Sequence, residues 1–324
     1  MTVPSREPIT RVLVIHRTPA DFDADLARRF PDIAWRYVTR LAEVAEALAQ
    51  HRPEAVLSMK NVGFATGEHR LAANFETVRW IQCGGSGYEH LLPIDFSRTV
   101  LTNCAGILAP YLAETVIGAM LALNANLIRY HKRQLAHEWR IEPFQPIAGQ
   151  TLAVIGLGAI GTEVARRARA LGMRVLAVRR DADAASGEAD EVAELSDLES
   201  VLSTADVVSL HVRLTDQTRR LIGAKELAAM KPSALLLNTS RGAVIDEAAL
   251  VACLKAQRIR GAYLDVFEKE PLDADSPLWD LDNVLLTPHA ADNTTDWPRV
   301  FATFFGDNLA RWNRGERLVN EIAA

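Results

Sequence analysis

Three short segments of this chain gather residues that can hold an anion and move a proton. They are Asn238-Thr239-Ser240-Arg241-Gly242, Asp265-Val266-Phe267-Glu268-Lys269-Glu270-Pro271 and Thr287-Pro288-His289. Each follows an apolar run that reads as a buried strand, so all three fall at one edge of a sheet. An arginine there can clamp a carboxylate through its planar fork, and a histidine can protonate a carbonyl oxygen as its carbon is attacked. A carboxylate beside the imidazole holds its tautomer and favours the protonated form. Singly, Arg241 also reads as a surface ion-pair partner, His289 as a turn residue and Glu270 as a solvated loop acid. Their joint placement favours the chemical reading.

Residues 151–161, Thr-Leu-Ala-Val-Ile-Gly-Leu-Gly-Ala-Ile-Gly, supply the companion signal. An apolar strand breaks into G-x-G-x-x-G, with a helix from Ile160 to about Leu171. Gly156 permits the tight turn, Gly158 lets backbone approach a pyrophosphate, and Gly161 lets the helix pack on the sheet. The helix start aims its free N–H groups at the phosphates, making Gly156, Leu157, Gly158, Ala159, Ile160 and Gly161 the candidate contacts. A second strand, Met173 to Val178, ends in Arg179 and Arg180, where an NAD-binding unit usually carries an acid. Two guanidiniums suit a 2′-phosphate, so NADP is the expected cofactor; NAD remains possible with Asp181 as the ribose reader.

Alternating strands and helices must position these groups. In the first hundred residues strands are expected at 11–15, 33–38, 54–58, 78–83 and 99–101. Further strands are expected at 152–155, 173–178, 206–210, 234–238, 261–265 and 284–287, with helices between them. The fold class is α/β: two doubly wound parallel-sheet domains, a flavodoxin-like substrate domain and a Rossmann cofactor domain, with a cleft between them. The expected division is 1–102, completed by 291–324, and 103–290. Residues 107–128 read as one long, mostly buried helix, because Pro110, Glu114, Asn124 and Asn126 suit a bilayer span poorly.

Composition narrows the classes further. A length of 324 residues suits two domains, and 49 % hydrophobic with 24 % charged residues suits a soluble globular chain. A net charge of −5 without a basic block argues against a nucleic-acid partner. Cys83, Cys104 and Cys253 lack metal-ligand spacing, so no metal is expected, and they suit a reducing cytoplasm. Met1 to Pro8 lacks the apolar core of a signal peptide.

The chain resembles the D-isomer-specific 2-hydroxyacid dehydrogenase family over nearly its whole length. The resemblance is carried by Asn238-Thr239-Ser240-Arg241-Gly242, by Leu264-Asp265-Val266-Phe267 with Glu270-Pro271-Leu272, and by Thr287-Pro288-His289. It implies that Arg241 binds the substrate carboxylate and carbonyl, that Glu270 orients His289, and that His289 is the acid–base. It also implies that Asp265 holds the nicotinamide carboxamide and that Thr239 and Ser240 line the cofactor. Gly84 to His90 resembles the family's small-residue loop, whose backbone N–H groups at Gly85, Ser86, Gly87 and Tyr88 would bind the carboxylate. Asn103 and Gly106 resemble the first crossover between domains. His211, Val212 and Arg213 match the loop over the adenosine, although a solvent-facing loop reads nearly as well.

Two departures stand out. The run His289-Ala290-Ala291-Asp292 places an acid where relatives commonly carry Gly and Ser or Ala. The arginine pair resembles the NADP-using glyoxylate/hydroxypyruvate reductases, as do Trp139 to Phe144 and Ser276 to Trp279. The resemblance thus implies NADPH-dependent reduction of small 2-keto acids to 2-hydroxy acids by a homodimer built on the helix at 111–128, with neither nucleic acid nor membrane as partner. The alternatives are an NAD-linked dehydrogenase of another 2-hydroxy acid and a dinucleotide-sensing, corepressor-like protein. Met59, Lys60, Trp139, Phe144 and Trp297 are candidates to line or cap a pocket, and read equally well as core or interface.

Overall fold

The computed structural model describes residues 7–59, 67–180 and 187–322, so Lys60 and Asp181 lie outside the described residues. Its contacts divide the chain into two compact units, Met1–Leu108 with Thr294–Ala324, and Ala109–Asn293. The divisions thus fall after 108 rather than 102, and after 293 rather than 290. In chain order the strands are β1 (Arg11–Ile15), β2 (Ala34–Val38), β3 (Ala55–Met59), β4 (Trp80–Gly84) and β5 (Val100–Thr102). Next come β6 (Thr151–Ile155), β7 (Arg174–Val178), β8 (Glu191–Ala193), β9 (Val207–Leu210), β10 (Leu235–Asn238), β11 (Gly261–Leu264) and β12 (Val284–Leu286), with β13 (Glu321–Ile322) last.

The first unit holds a sheet ordered β13-β5-β4-β3-β1-β2. All its pairs are parallel except β13 on β5. β3 is buried at every position, as a strand covered on both faces must be, whereas the edge strand β2 alternates exposed and half-buried residues. The helix Trp297–Asn313 packs on this sheet. Its Phe305 ring stacks on Trp80 at 4.7 Å, a contact worth about 1 kcal/mol beyond burial, and Asn308 Nδ2 donates to Gln82 Oε1 at 3.2 Å. The two residues of β13 are too few for any periodicity to announce.

The second unit is a seven-stranded parallel sheet ordered β12-β11-β10-β9-β6-β7-β8. Alternate residues of one strand serve opposite layers. Ala153 and Ile155 join one core cluster, while Leu152 and Val154 join the other. That is why these strands read as unbroken apolar runs. β8 adds a seventh strand to the six expected. Its three residues emerge directly from the polar stretch 181–190, which reads as loop, and they pair with Leu176 to Val178.

The long helix at 107–128 is corrected to two, Ala109–Asn124 and Leu127–Leu135, bent by 64° at the break. Asn126 takes the left-handed conformation (φ 57°), which interrupts the helical ladder. Side-chain amides on either side of the break turn to other backbone: Asn124 Nδ2 donates to Gln145 O at 2.8 Å and Asn126 Nδ2 to Pro143 O at 3.3 Å. Among the described residues, no single helix is long and apolar enough to cross a membrane.

Candidate active site

The turn from β6 into the helix Ala159–Ala170 separates the duties of its glycines. A Cβ on Gly156 (φ 100°) would lie 2.7 Å from His211 O, and one on Gly161 would lie 2.1 Å from Gly156 O. Both glycines are demanded by packing within the protein. A Cβ on Gly158 would meet nothing within 4 Å. Gly158 is also the N-cap of a helix whose first N–H groups receive no side-chain cap, and Gly158 and Ala159 are exposed. Open space over bare N–H groups at a positive helix end fits a pyrophosphate.

The neighbouring candidates divide into ligand-facing and structural. Thr239 is buried, and its Oγ1 has no hydrogen-bond partner among the described residues, an orphan that suits a bound group. Ser240 instead spends its N–H and hydroxyl on Asn238 Oδ1, at 3.0 and 2.7 Å, which folds the turn after β10. His211 bonds Ser209 Oγ through Nε2 at 2.8 Å, and burial pushes its pKa down to about 4. It therefore offers the phosphates no charge, and its backbone, with Val212, abuts Gly156. Arg179 continues β7, its N–H donating to Ala193 O at 3.1 Å, with Arg180 exposed beside it.

The ionisable groups cluster at the same sheet edge. His289 Nδ1 lies 2.7 Å from Glu270 Oε2, with the two side chains about half and one-third exposed. Glu270 Oε1 accepts Phe267 N–H at 3.1 Å, which fixes the carboxylate. His289 adopts φ 53°, an uncommon conformation for a side chain of this size. What holds it is Asp265, which is buried. The Asp265 carboxylate accepts Ala290 N–H at 2.8 Å and Ala291 N–H at 3.2 Å, and also the Thr287 hydroxyl, itself 2.9 Å from Tyr263 OH. His289 N–H in turn donates to Asp265 O at 2.8 Å. The observed partners of Asp265 are thus the backbone around His289.

Arg241 is exposed, and one guanidinium N–H donates to Ser240 O at 2.7 Å. Its loop is docked on the glutamate loop, since a Cβ on Gly242 would lie 1.8 Å from Phe267 C. Only glycine permits that approach. Asp292 sits in the field of both His289 and Arg241. Burial raises its carboxyl above the usual range, and the fields of His289 and Arg241 oppose the shift.

In the first unit, the loop after β4 turns its carbonyls inward. Gly85 O accepts Cys104 N–H at 2.8 Å, Ser86 O accepts Asn103 Nδ2 at 2.7 Å, and Gly87 O accepts the Cys83 thiol at 3.3 Å. Among the described residues, the N–H groups of Ser86, Gly87 and Tyr88 have no acceptor, as an anion-binding nest requires. Met59 is core, pressed against Gly84, rather than a pocket residue. Trp297 packs on His16 and Phe301, while Trp139 and Phe144 are exposed. The Thr287–Tyr263 support beneath Asp265 and the turn made by Asn238 were not singled out from sequence. Asn two residues before Ser is a recognisable turn signal, but the Thr–Tyr pair carries none.

Comparison with known proteins agrees with this geometry. Residues 117–291 match the family described as D-isomer specific 2-hydroxyacid dehydrogenase, NAD binding domain. The chain is 38 % identical over 233 residues to a glyoxylate reductase of Korarchaeum cryptofilum, covering 68 % of this chain and 69 % of that protein. It is 40 % identical over 255 residues to an (S)-sulfolactate dehydrogenase of Chromohalobacter salexigens, covering 75 % and 80 %. Among solved structures it resembles an NADPH-dependent glyoxylate/hydroxypyruvate reductase of Sinorhizobium meliloti in complex with NADP and sulfate. That likeness has a TM-score of 0.80 at 25 % identity and covers 97 % of this chain and 98 % of the other.

Proposed function

The chain belongs to the D-isomer-specific 2-hydroxyacid dehydrogenase family, and from that premise we propose that it is an NADPH-dependent reductase of glyoxylate- or hydroxypyruvate-like 2-keto acids. Membership makes it an NAD(P)-dependent 2-hydroxyacid dehydrogenase acting on small keto or hydroxy acids. The observation that carries the catalytic assignment is the His289–Glu270 contact of 2.7 Å at the sheet edge that also bears the Gly158 turn.

When bound, the reduced nicotinamide supplies the hydride that forms the new C–H bond. His289 supplies the proton. Glu270 occupies Nδ1, so Nε2 is the atom that faces a substrate, and its proton forms the O–H bond as the carbonyl electron pair moves onto oxygen. Loss of that proton leaves a neutral imidazole still held at Nδ1. Arg241 offers its planar fork to a carboxylate and a carbonyl oxygen. In the first unit taken by itself, the Ser86–Tyr88 N–H groups are assigned to the keto-acid carboxylate. Asp265 holds the His289 loop and is assigned to the carboxamide, with Thr239 facing the cofactor. Arg179 and Arg180 at the end of β7 support NADPH over NADH, because a 2′-phosphate needs cationic partners when it leaves water.

The test is a panel of glyoxylate, hydroxypyruvate, pyruvate and phenylpyruvate, each with NADPH and with NADH. The proposal expects the first two acids to lead and kcat/KM with NADPH to exceed that with NADH at least tenfold. Equal values for the two cofactors would remove the arginine reading. Absence of turnover on all four acids would remove the substrate class.

A further inference from the structure

A chain of hydrogen bonds runs from the last strand of the first unit to the loop assigned to the substrate carboxylate. Asn320, immediately before β13, adopts φ 57°, a conformation asparagine tolerates better than most residues. Its side-chain amide donates to two carbonyls, Asn103 O at 3.2 Å and Ala105 O at 2.8 Å, while its own carbonyl accepts Asn103 N–H at 3.3 Å. Asn103 is buried, and all its polar atoms are engaged. Its Oδ1 accepts Ala105 N–H at 3.2 Å, and its Nδ2 donates to Ser86 O at 2.7 Å. The next residue, Cys104, donates to Gly85 O at 2.8 Å. Residues 103–105 are therefore gripped on one side by Asn320 and on the other grip two consecutive carbonyls of the loop.

Direction matters more than strength here. A peptide unit whose carbonyl is held inward must present its N–H outward. Fixing the carbonyls of Gly85 and Ser86 therefore aims the N–H groups of Ser86 and Gly87. Neutral N–H donors hold a carboxylate only when aligned on it, since a hydrogen bond weakens steeply as its angle closes. The strand β13 anchors the origin of this relay through Glu321–Thr102 and Ile322–Leu101 pairing, and Asn308 Oδ1 accepts Val319 N–H at 2.9 Å.

We propose that Asn320 is a positioning residue for the keto-acid carboxylate, acting through Asn103 on the 85–88 loop; this rests on the assignment of that loop made above. Asn320 touches neither substrate nor cofactor.

Steady-state kinetics on the full chain carrying Asn320→Gly or Asn320→Asp tests this. Glycine keeps the positive φ but has no donor, and aspartate points acceptors at two carbonyls. Both variants are expected to raise KM for the best keto acid about tenfold, the effect of losing one or two neutral anchoring bonds, with a much smaller change in kcat. Asn320→Asp should be the worse of the two. NADPH affinity measured without keto acid, and the pH dependence of kcat, should stay as in the wild type. If Asn320→Gly leaves KM unchanged, Asn320 serves only its backbone conformation and the proposal fails. Amide hydrogen exchange at Cys104 and Ala105 reads the relay without turnover. Faster exchange in Asn320→Gly supports it, and unchanged exchange overturns it even if the carboxylate assignment itself proves wrong. Should the glycine variant fold poorly, Asn320→Ser retains one donor; an intermediate KM supports the relay and a wild-type KM overturns it.

Discussion

At the scale of single residues, the His289–Glu270 pair gives the sharpest expectation. Replacing His289 by Asn should lower kcat by about 10²–10⁴, the usual worth of a positioned general acid, while dinucleotide binding persists. Turnover near the wild-type rate in that variant would show that the proton comes from elsewhere. Glu270→Gln should cost less in kcat, because it weakens the contact at Nδ1 that orients the ring without removing the imidazole itself. These residues were legible in the sequence because each follows an apolar strand, and strand ends on one edge must converge. Asp265 was legible as a site residue, but its grip on Ala290 and Ala291 N–H was not. Backbone donors leave no trace in residue identity. Asn320 was invisible for the same reason, its partners being carbonyls of residues more than two hundred positions away.

Elements explain why three glycines in one motif should behave differently when changed. Gly161→Ala forces a Cβ to 2.1 Å from a backbone carbonyl and should destabilise the protein by several kcal/mol, seen as a large fall in melting temperature. Gly158→Ala meets no atom and has an ordinary φ of −87°, so the melting temperature should barely move. Its penalty should appear in dinucleotide affinity, measured by titration, as a rise of at least tenfold in Kd. Normal dinucleotide binding by the Gly158→Ala variant would deny that the open space belongs to the pyrophosphate. The central strands of four or five residues, such as β3, β9, β10 and β11, were readable because both faces are buried, which makes them continuous apolar runs. β8 and β13 were not, since each opens on a glutamate and none of their residues is fully buried, so neither forms an apolar run. The long helix was misjudged because its composition continues across Asn126 while its backbone does not.

The whole molecule carries two further expectations. Leu135, Trp139, Ile141 and Phe144 are all exposed on the second unit, Trp139 almost completely, and a run of large apolar side chains left in water marks an association surface. We propose a two-fold dimer through this unit, and sedimentation at micromolar concentration should give twice the chain mass of 35.6 kDa. A stable monomer would refute it. Acid stability is the second. The folded pKa of His211 is near 4 against 6.5 for the free imidazole, so below pH 6.5 the unfolded chain binds the extra proton. Stability therefore falls as pH drops from 6.5 towards 4, by about 2 kcal/mol at pH 5 from this one group. His16, whose pKa burial also lowers, adds in the same sense. Between pH 7 and pH 5 the wild type should lose several degrees more in melting temperature than His211→Gln, and equal losses would place the acid sensitivity elsewhere. One last feature bears on biosynthesis. The second unit is a continuous stretch, 109–293, set inside a first unit whose remaining pieces lie on either side of it. As the polypeptide leaves the ribosome, the dinucleotide cradle can be finished while the first sheet still lacks its Trp297–Asn313 helix and β13. A chain whose residues 294–322 have yet to dock can thus hold a complete second unit while the 85–88 loop still lacks its last anchor, Asn320.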